Sequence, residues 1–156
     1  MKTILFILFS SLPFINFSVD TEEYYAVFSG KSIQNIDQLI TELEQQEHTT
    51  TNNAYKGALL AKKADFEDDV SKKIKTFKIG VQLLEIEIKK FPKETEYRFL
   101  RLCIQENCPK ILNYDKNIKE DVQLITNNFS KQPKSLKTII ANYAKTSKQL
   151  DATLLK

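Results

Sequence analysis

Beyond about the first twenty residues the chain repeats one pattern, with apolar side chains recurring at three- and four-residue steps and polar residues between them. That spacing gathers the apolar set on one face of a helix, whereas a strand would need alternation with a period of two. Asp20 followed by Glu23 has the spacing of a capping box and predicts a helix start carrying Tyr24, Tyr25, Val27 and Phe28, with a stop at Gly30. Ser32 is the next cap, ahead of a buried face of Ile33, Ile36, Leu39, Ile40 and Leu43 that fades into a polar stretch from His48 to Asn53. A third helix is expected from Asn53 to Phe66, where Ala54, Ala58, Ala61 and Ala64 form a thin face that lets a neighbour approach closely. The fourth carries Ile74, Phe77, Gly80, Val81, Leu84 and Ile88 and ends at Phe91, because Pro92 cannot continue it. Gly80 inside that helix costs about 1 kcal/mol relative to Ala, which a close helix crossing would offset. A fifth helix from about Lys93 to Glu106 presents Tyr97, Leu100, Cys103 and Ile104. After a connection holding Ile111, Leu112 and Tyr114, a sixth carries Ile118, Val122, Ile125 and Phe129. A seventh follows Pro133 with Leu136, Ile139, Ile140 and Tyr143, and the last residues are expected to fray.

The pattern predicts an all-α fold of six to seven helices, paired as antiparallel hairpins and stacked in a repeat-like array. Gly80, Leu84 and Pro92 fit the second helix of a tetratricopeptide-like hairpin, yet no second copy of the pattern follows about 34 residues away. Only 3 Gly and 4 Pro punctuate the 156 residues, which favours long helices with brief connections. Apolar residues at 42% and a mean hydropathy of −0.35 are the balance of a globular domain.

The first residues read differently. Lys2 precedes an apolar run from Ile4 to Leu12, then Pro13, Phe14 and Ile15, the layout of a secretory signal peptide. A membrane-spanning helix needs about 20 apolar residues, and Asn16, Ser18 and Asp20 interrupt this run before that. The expected organisation is a signal peptide over residues 1–18, cleaved after Ser18, and one helical domain over 19–156. Asn16 stands where a small residue is usual before a cleavage site, so an uncleaved anchor is the alternative to release after export.

Charge is unevenly spread. From Val19 to Val70, 11 acids face 4 bases, and from Ser71 to Lys156, 18 bases face 9 acids. Either the two halves neutralise each other on packing, or the basic half meets an anionic partner. Asp65, Glu67, Asp68 and Asp69 fall at a connection and the start of the fourth helix, where the macrodipole favours negative charge. The cluster has no internal glycine and no calcium-loop spacing, so no metal site and no cofactor is expected there.

Residues able to do chemistry are few. His48 is the lone histidine, in a polar connection with no cysteine beside it, and reads as a surface residue. Nucleophile elbow, phosphate loop and zinc-ligand spacing are all missing from the sequence. Cys103 and Cys108 would be too far apart to bridge on a continuous helix, because Cα atoms beyond about 7 Å cannot be joined. A left-handed turn at Asn107 ahead of Pro109 would bring them together, so a disulfide and a pair of buried thiols are both open. Arg98 and Arg101 are the only arginines among 23 basic residues and lie three apart on one helical face beside Tyr97. The planar guanidinium suits bidentate pairing. The pair can grip a ligand carboxylate or phosphate with Tyr97, or it can serve the fold through Glu94 with Arg98 and stacking of Arg101 on Tyr97.

The stretch RFLRLCIQENCPKILNYDKNIKED, from Arg98 to Asp121, resembles a group of uncharacterised exported helical proteins of Bacteroidota. The preceding GVQLLEIEIKKFPKETEYRFLR is similar to that group's glycine-containing helix, proline stop and arginine-bearing helix, and the resemblance spans roughly residues 54 to 129. It implies an envelope address and a tetratricopeptide-like helical fold, with no reaction attached. It also implies that small residues other than cysteine commonly hold the places of Cys103 and Cys108.

Three functions follow as expectations. The first is a non-catalytic binding or scaffold protein of the periplasm or cell envelope, with another envelope protein or an anionic envelope component as partner. The second is peripheral association with an anionic surface through Lys72, Lys73, Lys75, Lys134, Lys137, Lys145 and Lys148. The third is a hydrolase-like enzyme whose acidic site assembles in space. Export sets nucleic acid aside as a partner.

Overall fold

A computed structural model describes residues 19–46 and 48–156, and the expected signal peptide lies outside the described residues. Seven α-helices form among the described residues: α1 Thr21–Ser29, α2 Ile33–Gln45, α3 Thr50–Lys63, α4 Val70–Lys90, α5 Thr95–Asn107, α6 Ile118–Asn128 and α7 Lys134–Ala144. Single 3₁₀ turns follow at Ala64–Phe66, Lys110–Leu112, Phe129–Lys131 and Ala152–Leu154, and no strand occurs among the described residues. The all-α fold is the one the apolar spacing predicts.

The helix starts are set by short oxygen-bearing side chains that satisfy otherwise orphaned amides. Asp20 accepts from the Glu22 and Glu23 amides at 2.9 and 3.1 Å. Ser32 caps α2 through the Asn35 amide at 3.2 Å, and Asp69 caps α4 through the Lys72 amide at 2.8 Å. Thr49 accepts from the Asn52 amide at 3.1 Å, so α3 begins at Thr50, inside the stretch the polar composition marks as a connection. Composition misleads there because threonine is a weak residue within a helix and a good one at its start.

α3 and α4 form an antiparallel pair in backbone contact. Asn53 reaches Glu87 at one end of the pair, and Lys73 reaches the Asp65 carbonyl at the other. At the crossing, a Cβ on Gly57 would lie 2.7 Å from the Leu84 amide nitrogen and 2.8 Å from the Gly80 carbonyl oxygen. One on Gly80 would collide with the Ala61 amide nitrogen and the Gly57 carbonyl. Ala54, Ala58, Ala61 and Ala64 are all buried along this seam. Two helices can therefore touch along their main chains, the close approach that offsets the helix-propensity cost of Gly80.

Around this pair, α2 packs on α3, α5 packs on α3 and α4, and α6 packs on α5. α1 packs on α2 and α3 and also on α7, which joins the two ends of the array. An aromatic group holds that junction. Tyr24 stacks on Tyr55 with centroids 3.7 Å apart and donates its hydroxyl to the Tyr55 carbonyl at 3.1 Å. Tyr25 and Tyr143 both lie against Phe99.

The C-terminal residues do not fray as their composition suggests. The Glu106 carboxylate accepts from Tyr143 Oη at 2.6 Å, Ser147 Oγ at 2.8 Å, and the Lys148 and Gln149 amides at 2.9 and 3.1 Å. Leu150 is buried behind this tie. One carboxylate that satisfies two amides and two hydroxyls anchors the segment, and such a long-range partner leaves no local trace in sequence. No helix among the described residues is long and apolar enough to cross a membrane.

Gly80→Ala tests the crossing. Alanine is the better helix former by about 1 kcal/mol, yet its Cβ would overpack rigid main chain, which costs about 1–3 kcal/mol or more. The variant should unfold at lower urea concentration than the parent; an increase in the midpoint would mean that the helices do not touch there.

Candidate functional site

The two arginines are interior residues. Arg98 and Arg101 are 6% and 3% exposed, and between them lies Asp121 of α6, fully buried at 0%. Arg101 grips Asp121 as a fork, Nε to Oδ2 at 2.7 Å and Nη2 to Oδ1 at 2.6 Å. Its third nitrogen, Nη1, meets Glu85 Oε2 of α4 at 2.9 Å. Arg98 donates from Nη1 to Asp121 Oδ1 at 3.0 Å, from Nη2 to Glu120 Oε1 at 2.7 Å and from Nε to the Pro92 carbonyl at 2.9 Å. Tyr114 donates to the remaining Glu85 oxygen at 2.6 Å.

Burial pushes the Asp121 carboxyl above the ordinary aspartate range, and the guanidiniums of Arg101 and Arg98 pull against that shift. For Arg101 burial disfavours the cation, but the Asp121 and Glu85 carboxylates outweigh it and hold the guanidinium above its usual value. Arg98 holds the exposed Glu120 below the usual carboxylate range. Every guanidinium nitrogen has an acceptor within the fold, so Arg98 and Arg101 are engaged by neighbouring residues, the structural alternative to a ligand contact. The fork geometry is used between helices, and the partners are neither Glu94 nor the Tyr97 ring.

Tyr97 is also buried, with its hydroxyl 3.2 Å from Thr51 Oγ1 and 3.3 Å from Thr50 Oγ1, where it steadies the first turn of α3. His48 is exposed in the connection before α3. Asp69 caps α4 and Asp65 pairs with Lys62 at 3.2 Å, which gives two of the clustered carboxylates ordinary helix-end roles. Among the described residues no three metal-ligating side chains converge. Both cysteines are free. The left-handed turn at Asn107 does not form: α5 runs through Asn107, Cys108 has φ −79°, and its amide bonds the Ile104 carbonyl at 2.9 Å. Without that turn nothing folds Cys108 back onto Cys103. Burial pushes both thiols up, Cys103 the further, so neither is an activated nucleophile.

A cleft lies elsewhere, where α1, α5 and α7 meet the ends of α3 and α4. Its volume is about 650 Å³, and its walls include Tyr25, Phe28, Phe77, Phe99, Ile139 and Tyr143. Cys103 and Ile104 belong to its α5 wall, and Cys108 and Leu112 to the segment beyond it. Polar side chains join the lining from Glu22, Lys62, Asp65, Lys73, Asn107 and Asn142. Among the described residues the Lys73 amine has one partner, the Asp65 carbonyl at 3.5 Å. The two carboxylates of the lining, Glu22 and Asp65, are exposed. Mostly apolar walls with a few polar groups are the composition of a small-molecule site.

Sequence spacing assigned Phe28, Phe77, Ile139 and Tyr143 to buried helical faces but could not show that five such faces leave a gap. Asp121 did carry a signal: Ile118, Asp121, Val122 and Ile125 fall at one helical stripe, so a carboxylate interrupts an apolar face. No family model matches the chain, and neither a curated protein nor a solved structure matches it.

Asp121→Asn removes the charge that two buried guanidiniums share and should cost about 3–5 kcal/mol. Glu120→Gln, at the exposed edge of the same cluster, should cost less than about 1 kcal/mol. Urea unfolding of both variants checks this, and equal losses would contradict the central place given to Asp121.

Proposed function

We propose that the chain is a non-catalytic binding protein of the periplasm or cell envelope, and that its ligand is a single-chain amphiphile with an anionic head. The cleft carries this reading. Its volume falls within the range of about 300–1,000 Å³ usual for small-molecule sites, and aromatic and aliphatic side chains dominate its walls. An apolar chain would lie among Phe28, Phe77, Phe99 and Ile139, and a carboxylate or phosphate head would take Lys73, whose amine among the described residues meets a backbone carbonyl alone.

A hydrolase needs a nucleophile or a pair of carboxylates at the reacting atoms. Here the lining acids are exposed, Asp65 is paired with Lys62, and burial disfavours the thiolate forms of the lining cysteines. Those facts favour binding over catalysis. The envelope address rests on Lys2 and the apolar run that follows it. The antiparallel α3–α4 hairpin and the resemblance of residues 98–121 support grouping the chain with exported tetratricopeptide-like proteins of Bacteroidota.

Fluorescence of cis-parinaric acid added to the protein should rise saturably with one site per chain and fall when oleate competes. Ile139→Trp, which fills the cleft from α7, should weaken that binding by about tenfold or more, on the scale of one lost hydrophobic contact group. Lys73→Ala should weaken it less. Non-saturable enhancement, or parent-like affinity in the filled variant, would overturn the assignment.

A further inference from the structure

The outer face of α4 carries a second surface. With 3.6 residues per turn, Lys72, Lys75, Ile79, Gln82, Ile86 and Lys90 fall along one stripe, with Lys78 and Lys89 on its flank. All eight residues are exposed, Ile79 at 45% and Ile86 at 43%. Lys93 is exposed just past the helix end. The stripe runs over about 27 Å of the helix.

Its charge is of one sign because the helix turns both of its own carboxylates away. Glu85 is held by Arg101 and Tyr114. Glu87 is buried and accepts from Asn53 and Lys90. Among the described residues, Lys72, Lys75, Lys78, Lys89 and Lys93 have no ion-pair partner.

We infer that this face is a docking surface for an anionic lipid bilayer. Lysines alone would suit any polyanion, but here two isoleucines stand exposed in the middle of the stripe. That combination matches an interfacial helix, whose cations meet lipid head groups while its apolar residues enter the boundary of the acyl region. A nucleic acid or acidic polymer would leave Ile79 and Ile86 in water. The inference is independent of the cleft, because none of these side chains lines it.

The test is co-sedimentation of the full chain with two vesicle types, phosphatidylcholine alone and an equimolar mixture with phosphatidylglycerol. Any background from the apolar N-terminal residues is common to both, so the difference between them is the readout. The parent should favour the anionic vesicles, and raised salt should remove the preference, because screening shortens the reach of surface charge. Lys72→Glu, Lys75→Glu and Lys78→Glu combined should lower that preference by about tenfold or more. The same charge change at Lys134, Lys145 and Lys148 should alter it by less than about twofold. Ile79→Ser with Ile86→Ser should weaken binding while leaving its salt dependence in place. Equal binding to both vesicle types would overturn the inference, as would an equal loss from the two lysine sets. Unchanged binding after the isoleucine substitutions, together with parent-like binding to a soluble polyanion, would transfer the surface from lipid to polymer and overturn it too.

Discussion

A fully buried carboxylate between two guanidiniums constrains much of what surrounds it. Asp121 accepts three charged hydrogen bonds from Arg98 and Arg101, and Arg101 passes the tie on to Glu85. One cluster thereby fixes α4, α5 and α6 in mutual register. An ion pair taken out of water gives little net stability compared with apolar packing, but losing one partner is severe. The cluster therefore specifies an arrangement more than it adds stability. It also has a consequence at the surface: by holding Glu85 it helps leave the outer stripe of α4 to lysines, isoleucines and Gln82.

The glycine crossing performs the corresponding task between α3 and α4. Because Gly57 and Gly80 bring the main chains into contact, Phe77 and Ala61 sit on adjacent walls of the cleft. α1 and α7 complete the enclosure, with Tyr25 and Tyr143 both against Phe99. The cleft thus depends on contacts from both ends of the chain. Glu106 contributes by holding Tyr143 and the segment after α7 in place.

What the sequence revealed divides along the range of the interactions. Helix number, the caps at Asp20 and Ser32, the stop at Pro92 and the close approach at Gly80 were legible, because each depends on residues within a turn or two, or on a missing side chain. The cap at Thr49 is hidden by polar neighbours whose composition is that of a connection. The isolation of Arg98 and Arg101 points to bidentate pairing, which Arg101 makes, but the acceptor, Asp121, lies 20 residues further along the chain. It could have been found from its place on the α6 apolar stripe. The order at Leu150 and the cleft itself had no local signal, because both arise from pairings across the whole chain.

Charged and apolar clustering fall in two separate places: the arginines of α5 are paired within the fold, and the aromatic cleft is the proposed ligand site. Methyl NMR of the protein titrated with a fatty acid separates them directly, because isoleucines report on both places. Ile104 and Ile139 line the cleft, whereas Ile125 is buried on α6, the helix of Asp121, and does not line it. The account predicts that the Ile104 and Ile139 methyl resonances shift saturably while Ile125 and the arginine Nε–H resonances stay in place. Movement of Ile125 and the arginine signals with a silent Ile104 and Ile139 would contradict it.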